Sequence, residues 1–276
     1  MPYTITHEVD GGIERISYIP TVRRFVTPIV MQHGMWHGAW CWQAWQALLA
    51  EWGWESHAHS LPGHGRSPVQ RPIRWCTLQY YFEFLHDEIR RQRQPPILLG
   101  HSMGGALTQW YLKYGGPLAA AVLVAPWTSH NMQDPALVRP IVLRDPLGIL
   151  LCLLTLTATL LVRNPRRAAE CFITEGAIIS PVELHARLGP ESAWVLGQYQ
   201  PPFWEPVAHT DTPMLWLAGE RDAVLPEWAE RRSAAHYGAD YVVIPGAGHN
   251  LMMERSYHET AEQIHQWLAG RQIAVD

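Results

Sequence analysis

The sequence predicts an α/β protein: a mostly parallel sheet covered by helices on both faces, interrupted after its sixth strand by a helical insertion. Three observations predict it. Short apolar runs bounded by turn residues alternate with amphipathic stretches through most of the 276 residues, the rhythm of strand–helix–strand units. One such unit carries Gly100-His101-Ser102-Met103-Gly104-Gly105 between the apolar run Ile97-Leu98-Leu99 and the amphipathic stretch Ala106–Leu112. The alternation then stops between about Trp127 and Glu205. Residues 1–126 and 206–276 are therefore expected to form one core domain, and 127–205 a helical cap or lid. An insertion there folds over the carboxyl ends of the strands, where an open α/β sheet binds its ligand.

Each element has its own signal. Residues 3–20 read as two strands around the hairpin turn Asp10-Gly11-Gly12. Thr27–Gln32 is a buried-type strand ending at His33-Gly34, and Trp42–Trp52 a helix closed by Gly53. Trp54–Ser60 is a strand running into Leu61-Pro62-Gly63-His64-Gly65-Arg66-Ser67. Thr77–Arg93 has helical periodicity, stopped by Pro95-Pro96. Ala119–Ala125, Pro213–Ala218 and Asp240–Ile244 are further strands, and Arg255–Leu268 is a closing amphipathic helix. Inside the insertion, Leu147–Val162 is almost wholly apolar but only 16 residues long. A bilayer span needs roughly 20. A buried or pocket-facing helix is the expectation, with a transmembrane helix and peripheral lipid contact through the cap as the alternatives.

Composition narrows the function classes. An apolar share of 47% supplies a core for one large domain. A formal charge of −4 gives no electrostatic reason for a nucleic-acid partner. Cys41, Cys76, Cys152 and Cys171 are widely spaced and form no C-x-x-C pair, which suggests reduced thiols and no zinc or redox motif. The N-terminus lacks a basic n-region and an apolar h-region, so a cytoplasmic location is expected.

The chemistry centres on Ser102. Gly100 and Gly104 flank it with small residues, letting a strained turn lift the hydroxyl clear of the sheet at a helix N-terminus. A serine hydroxyl needs a base, and His249, carried on Gly246-Ala247-Gly248 after the last strand, is the candidate. Asp222, just past the strand that ends near Gly219, is the candidate acid, with Glu220 as its neighbouring alternative. The order Ser102, Asp222, His249 is nucleophile, acid, base. Backbone N–H groups of Met103 and of Met35, which follows Gly34, are the candidate oxyanion donors. Trp36, His33 and Trp127 are candidates for the substrate pocket. His33, His37 and His64 also read as structural hydrogen-bonding residues, and His101 as a supporting one.

These motifs together resemble the α/β-hydrolase superfamily. The resemblance runs through the His33-Gly34 loop, Leu61–Ser67, the Ser102 turn, Gly219–Pro226 and Gly246–Glu254. It implies an eight-stranded sheet, a Ser102-Asp222-His249 triad, and neither metal nor organic cofactor. Ser60 departs from the pattern, since relatives often have aspartate before the Leu-Pro-Gly-His-Gly turn. Trp36–Trp42 is locally similar to the plant methylesterase and hydroxynitrile lyase branch. Asn250 stands where those lyases carry lysine, which favours hydrolysis. The expected function is cleavage of carboxylic esters with an apolar acyl or alcohol group through an acyl-enzyme. A C–C bond or lactone hydrolase, an acyltransferase, a cofactor-free haloperoxidase and a non-catalytic ligand receptor are the alternatives.

Overall fold

Strands β1 (Tyr3–Asp10) and β2 (Ile13–Pro20) form an antiparallel hairpin. Its loop is Gly11-Gly12, with φ of 59° and 75°. Positive φ at both loop positions gives a turn whose twist matches that of the strands. The computed structural model describes residues 2–130, 132 and 134–271. β2 then pairs antiparallel with β4 (Ser56–Ser60), and all further pairings are parallel. β3 (Ile29–Gln32), β5 (Ile97–His101), β6 (Ala120–Val124) and β7 (Met214–Gly219) are buried along their whole length. Continuous apolar runs of this kind are what a sheet covered on both faces requires. With β8 (Asp240–Ile244) the sheet has eight strands, in the order β1-β2-β4-β3-β5-β6-β7-β8.

Helices α1 (Gln43–Glu51), α2 (Leu78–Arg90) and α3 (Met103–Tyr114) follow β3, β4 and β5. Between β6 and β7 come α4 (Pro135–Arg144), α5 (Pro146–Thr155), α6 (Pro165–Phe172), α7 (Pro181–Arg187) and α8 (Trp194–Gln198). Four of these start the same way. Asp134, Asp145, Asn164 and Ser180 each cap a helix with a side-chain oxygen, and each precedes a proline at the first helical position. Then come α9 (Glu227–Tyr237) and α10 (Tyr257–Gly270).

Successive strand residues face opposite sides of the sheet. Ile29, Met31, Ile97, Leu99, Leu215 and Leu217 pack with Trp45 and Leu49 of α1 and Ile264 and Leu268 of α10. Val30 and Leu98 pack on the other side with Tyr81 and Leu85 of α2 and Leu107 of α3. Ala121, Leu123 and Trp216 meet α9 there.

The apolar stretch Leu147–Val162 is not one helix. It divides into α5 and a 3₁₀ turn over Thr159–Val162, because Leu156 sits at φ 57°, outside the helical region. Nor is it wholly buried: Ile149 and Cys152 face inward, while Leu147, Leu150 and Leu154 are exposed. Among the described residues no helix is long and apolar enough to cross a membrane.

Candidate active site

Ser102 follows β5 and precedes α3, with φ 53° and ψ −117°, a conformation that L-residues rarely adopt. Such strain costs about 1–3 kcal/mol and persists only where surrounding bonds dictate it. Here they do. Its N–H donates to Val124 (3.1 Å), and its carbonyl accepts from Gly105 (2.9 Å), Ala106 (3.2 Å) and Trp127 (3.2 Å). The flanking glycines are required by space: a Cβ on Gly100 would lie 2.4 Å from the Gly104 oxygen, and one on Gly104 would lie 2.2 Å from the Gln32 oxygen. The turn thus places Ser102 where α3 begins, with the first-turn N–H groups and the helix dipole beside it.

His249 follows β8 on a loop that Gly246 turns at φ 69°. Glu254 holds this loop by accepting from the Gly248 N–H (3.1 Å) and, across the chain, from the Thr174 N–H (2.8 Å). His249 Nδ1 donates to Asp222 Oδ2 at 2.7 Å, and both side chains are buried. The other carboxylate oxygen accepts from the Val224 and Leu225 N–H groups at 2.7 and 2.9 Å. Asp222 is therefore fixed by its own loop and fixes one tautomer of His249, leaving Nε2 with its lone pair. Glu220, the neighbouring carboxylate, turns away to accept from the Gly246 N–H at 2.7 Å. The structure thus pairs His249 with Asp222 and not with Glu220.

The loop after β3 closes against the serine. A Cβ on Gly34 would lie 2.8 Å from Ser102 Cβ, so the Gly34–Met35 backbone passes directly over the turn. Among the described residues, neither the Met35 nor the Met103 N–H donates to a protein acceptor. Two unused amides beside a serine hydroxyl are the groups an oxyanion needs.

Buried histidines brace this arrangement. His37 donates from Nδ1 to the Met35 carbonyl (2.7 Å), and its Nε2 accepts from Asn250 Nδ2 (3.0 Å). That chain links the loop bearing Met35 to the residue after His249. Burial drives the His37 pKa down to about 4, so the ring stays neutral and keeps an acceptor for Asn250. His101 donates from Nε2 to the His249 carbonyl (3.2 Å), and burial together with the neighbouring His249 ring holds it well below the usual histidine range. His64 reaches the Pro62 carbonyl (3.2 Å) and Glu191 Oε2 (3.1 Å).

Ser102, His249, Met35, Trp36 and Trp127 border one cavity of about 530 Å³. Its far walls come from the segment between β6 and β7, including Ile141, Ile149, Leu153, Phe172 and Leu196. His33, expected at the pocket, is not there. It is fully buried, its Nε2 accepts from the Leu61 N–H (3.0 Å), and its Nδ1 donates to the Gly34 carbonyl (2.7 Å). With both ring nitrogens in use it shapes the loop and has nothing left for a substrate. Glu191 had no sequence signal at all. It is fully buried, accepts from Tyr81 Oη (3.0 Å) and the Ser192 N–H (2.7 Å), and meets His64, so it ties the α7–α8 connection to the core.

The family model described as the alpha/beta hydrolase family matches residues 29–263. The chain is 34% identical over 124 residues to the pFDCC methylesterase MES16 of Arabidopsis thaliana, covering 42% of this chain and 41% of that protein. The matched segment thus spans about two-fifths of the plant enzyme's length. It is 26% identical over 224 residues to the monoacylglycerol lipase of Mycolicibacterium smegmatis, covering 75% of each. The crystal structure of the Paleococcus ferrophilus monoacylglycerol lipase superposes with a TM-score of 0.64 at 19% identity, covering 94% of this chain and 98% of that one; this likeness is one of fold.

Proposed function

The chain belongs to the α/β hydrolase family, and on that footing we propose that it is a serine hydrolase cleaving carboxylic esters through an acyl-enzyme. The observation that carries the proposal is the His249–Asp222 bond of 2.7 Å beside a cavity that Ser102 also borders. Ser102 Oγ attacks the ester carbonyl as His249 Nε2 takes its proton. The Met35 and Met103 amides receive the oxyanion of the tetrahedral intermediate. His249 then hands the proton to the departing alcohol, and water activated by the same nitrogen releases the acid. Asp222 stabilises the imidazolium formed in between. Relatives named as a methylesterase and a monoacylglycerol lipase support an ester as the substrate.

Residues 127–205 act as the cap over the core formed by 1–126 and 206–276. They contribute most of the apolar wall, and the cavity falls within the roughly 300–1,000 Å³ of pockets that enclose small organic ligands. The preferred ester therefore carries an apolar acyl or alcohol group.

The test is hydrolysis of p-nitrophenyl esters from acetyl to palmitoyl, with Ser102→Ala alongside. The substitution is expected to lower kcat by on the order of 10⁴ or more, and the wild type to favour apolar chains over short or charged ones. Turnover that survives Ser102→Ala would end the nucleophile assignment. A preference for short charged acyl groups would end the apolar one.

A further inference from the structure

Trp36 stands at the corner of the loop that carries Met35. Its φ is 62°, in the left-handed region. The His37 N–H donates to the Gly34 carbonyl at 3.3 Å, so Met35 and Trp36 are the two corner residues of a hydrogen-bonded turn. Positive φ at the second corner position favours glycine, which has no Cβ to strain. A tryptophan there must be held from outside the turn. What holds it comes from the insertion between β6 and β7. The Trp36 carbonyl accepts from the Gly189 N–H at 2.7 Å. The indole N–H donates to the Ala158 carbonyl at 3.2 Å. The ring packs on Phe172 of α6, with centroids 5.6 Å apart. These contacts come from three separate segments: the stretch after α5, α6 itself, and the α7–α8 connection. They are anchored in turn. Ala158 is fully buried and its N–H donates to the Glu191 carbonyl at 2.8 Å, while the Glu191 side chain bonds to His64 and Tyr81 of the core. The Met35–Trp36 peptide is thus gripped by His37 at its carbonyl and by the insertion through Trp36.

From this we infer that the insertion does more than wall the cavity: it positions the Met35 oxyanion donor, and Trp36 is the positioning residue through which it acts. The inference rests on the ester-hydrolase reading above. Without the clamp, Trp36 relaxes toward negative φ, the Met35–Trp36 peptide swings, and the Met35 amide leaves the place where the oxyanion forms. The oxyanion develops only as the ester reacts, so the loss falls on kcat and not on KM. Trp36 also borders the cavity. A wall contact alone would have the opposite signature, a higher KM for long acyl chains with an acetyl ester unaffected.

The experiment removes the indole N–H and keeps the ring. In the full chain, Trp36 is replaced by benzothienylalanine, which has the same shape with sulfur in place of N–H, and separately by phenylalanine (Trp36→Phe). A thermal melt checks that each variant is folded. Kinetics on p-nitrophenyl acetate and decanoate are measured beside inhibition by phenylboronic acid, whose tetrahedral adduct on Ser102 presents an oxygen to the same amides. Both variants are expected to lose about three- to ten-fold in kcat, the effect of one hydrogen bond, equally on the two esters and with KM little changed. Boronic-acid inhibition should weaken by the same factor. Wild-type kcat on the acetyl ester in the benzothienylalanine enzyme, or a defect confined to KM for the decanoyl ester, overturns the inference and leaves ester hydrolysis intact. A wild-type chain that hydrolyses neither ester overturns both.

Discussion

Gly34 separates the candidate oxyanion loop from the nucleophile turn by the width of one hydrogen atom, and Gly34→Ala tests that contact. The new Cβ would lie 2.8 Å from Ser102 Cβ, 3.0 Å from His101 Nδ1 and 3.1 Å from the His101 carbonyl oxygen. Ordinary contacts need about 3.5–4.0 Å, so the two segments must part by about 1 Å. None of the three neighbours yields easily. Ser102 is held by four backbone bonds, and His101 is buried with Nε2 on the His249 carbonyl. The movable part is the Gly34–Met35 peptide, which carries the Met35 N–H. A displacement of about 1 Å can cost 10²-fold, and loss of one oxyanion donor about 10²–10³ in kcat. Overpacking should cost about 1–3 kcal/mol of stability. The assay is steady-state hydrolysis of a short p-nitrophenyl ester with a thermal melt, and Gly270→Ala, where a Cβ meets nothing within 4 Å, as the control. The expected result is a fall of about two to three orders of magnitude in kcat with KM little changed. A folded Gly34→Ala enzyme with wild-type kcat would refute the placement of the oxyanion donor at Met35.

Three further outcomes are expected. Asp222→Asn keeps an acceptor for the Val224 and Leu225 amides but offers His249 an NH₂ group, favouring the wrong tautomer; kcat should fall by about 10⁴ with little change in melting temperature. A small loss would show that another group orients His249. Glu191→Ala leaves Tyr81 Oη, His64 Nε2 and the Ser192 N–H buried without their acceptor, and urea unfolding should report a loss of about 3–5 kcal/mol; a change within error would disprove the anchoring role. The third outcome concerns pH. His37 titrates near 4 in the fold against 6.5 as its ordinary value, so between these values the unfolded chain binds a proton that the folded chain refuses. Stability is then full above about pH 6.5 and falls as pH drops toward 4, by about 3 kcal/mol from His37 alone, with His33 and His101 shifted in the same direction by burial. Melting temperatures across this range should fall on acidification, less steeply in His37→Gln, and a flat profile would contradict the buried neutral ring.

The strands and the serine turn were legible because their signals are local. A parallel strand buried on both faces must be largely apolar, and Ile97-Leu98-Leu99, Ala120–Val124 and Met214–Gly219 are. The Ser102 turn is legible from its glycine spacing, although only Gly100 has a local reason, 2.4 Å from the Gly104 oxygen; the demand for glycine at 104 comes from the distant strand β3, at 2.2 Å from the Gln32 oxygen. The helices α4 to α7 also left a local trace in Asp134-Pro135, Asp145-Pro146, Asn164-Pro165 and Ser180-Pro181, although hydrophobic periodicity alone did not delimit them. Helix α9 was missed because Glu227–Tyr237 is largely polar and gives almost no apolar stripe.

What the sequence determined by itself, then, was the sheet, its helical covering and the order of the serine, acid and base candidates. Partners distant in sequence were decided only by the fold. At Ser60 the hydroxyl donates at 2.6 Å to Glu14 on the neighbouring strand, and Glu14 also accepts from the Arg66 N–H at 2.8 Å. Glu14 and Ser60 are register partners, so the carboxylate that serves this turn reaches it from across the strand pairing. The exclusion of His33 from the cavity, the choice of Asp222 over Glu220, the break at Leu156 and the burial of Glu191 are of the same kind. Each depends on which atoms tertiary packing brings within hydrogen-bonding or contact distance, and hydrophobic periodicity along the chain carries no record of that.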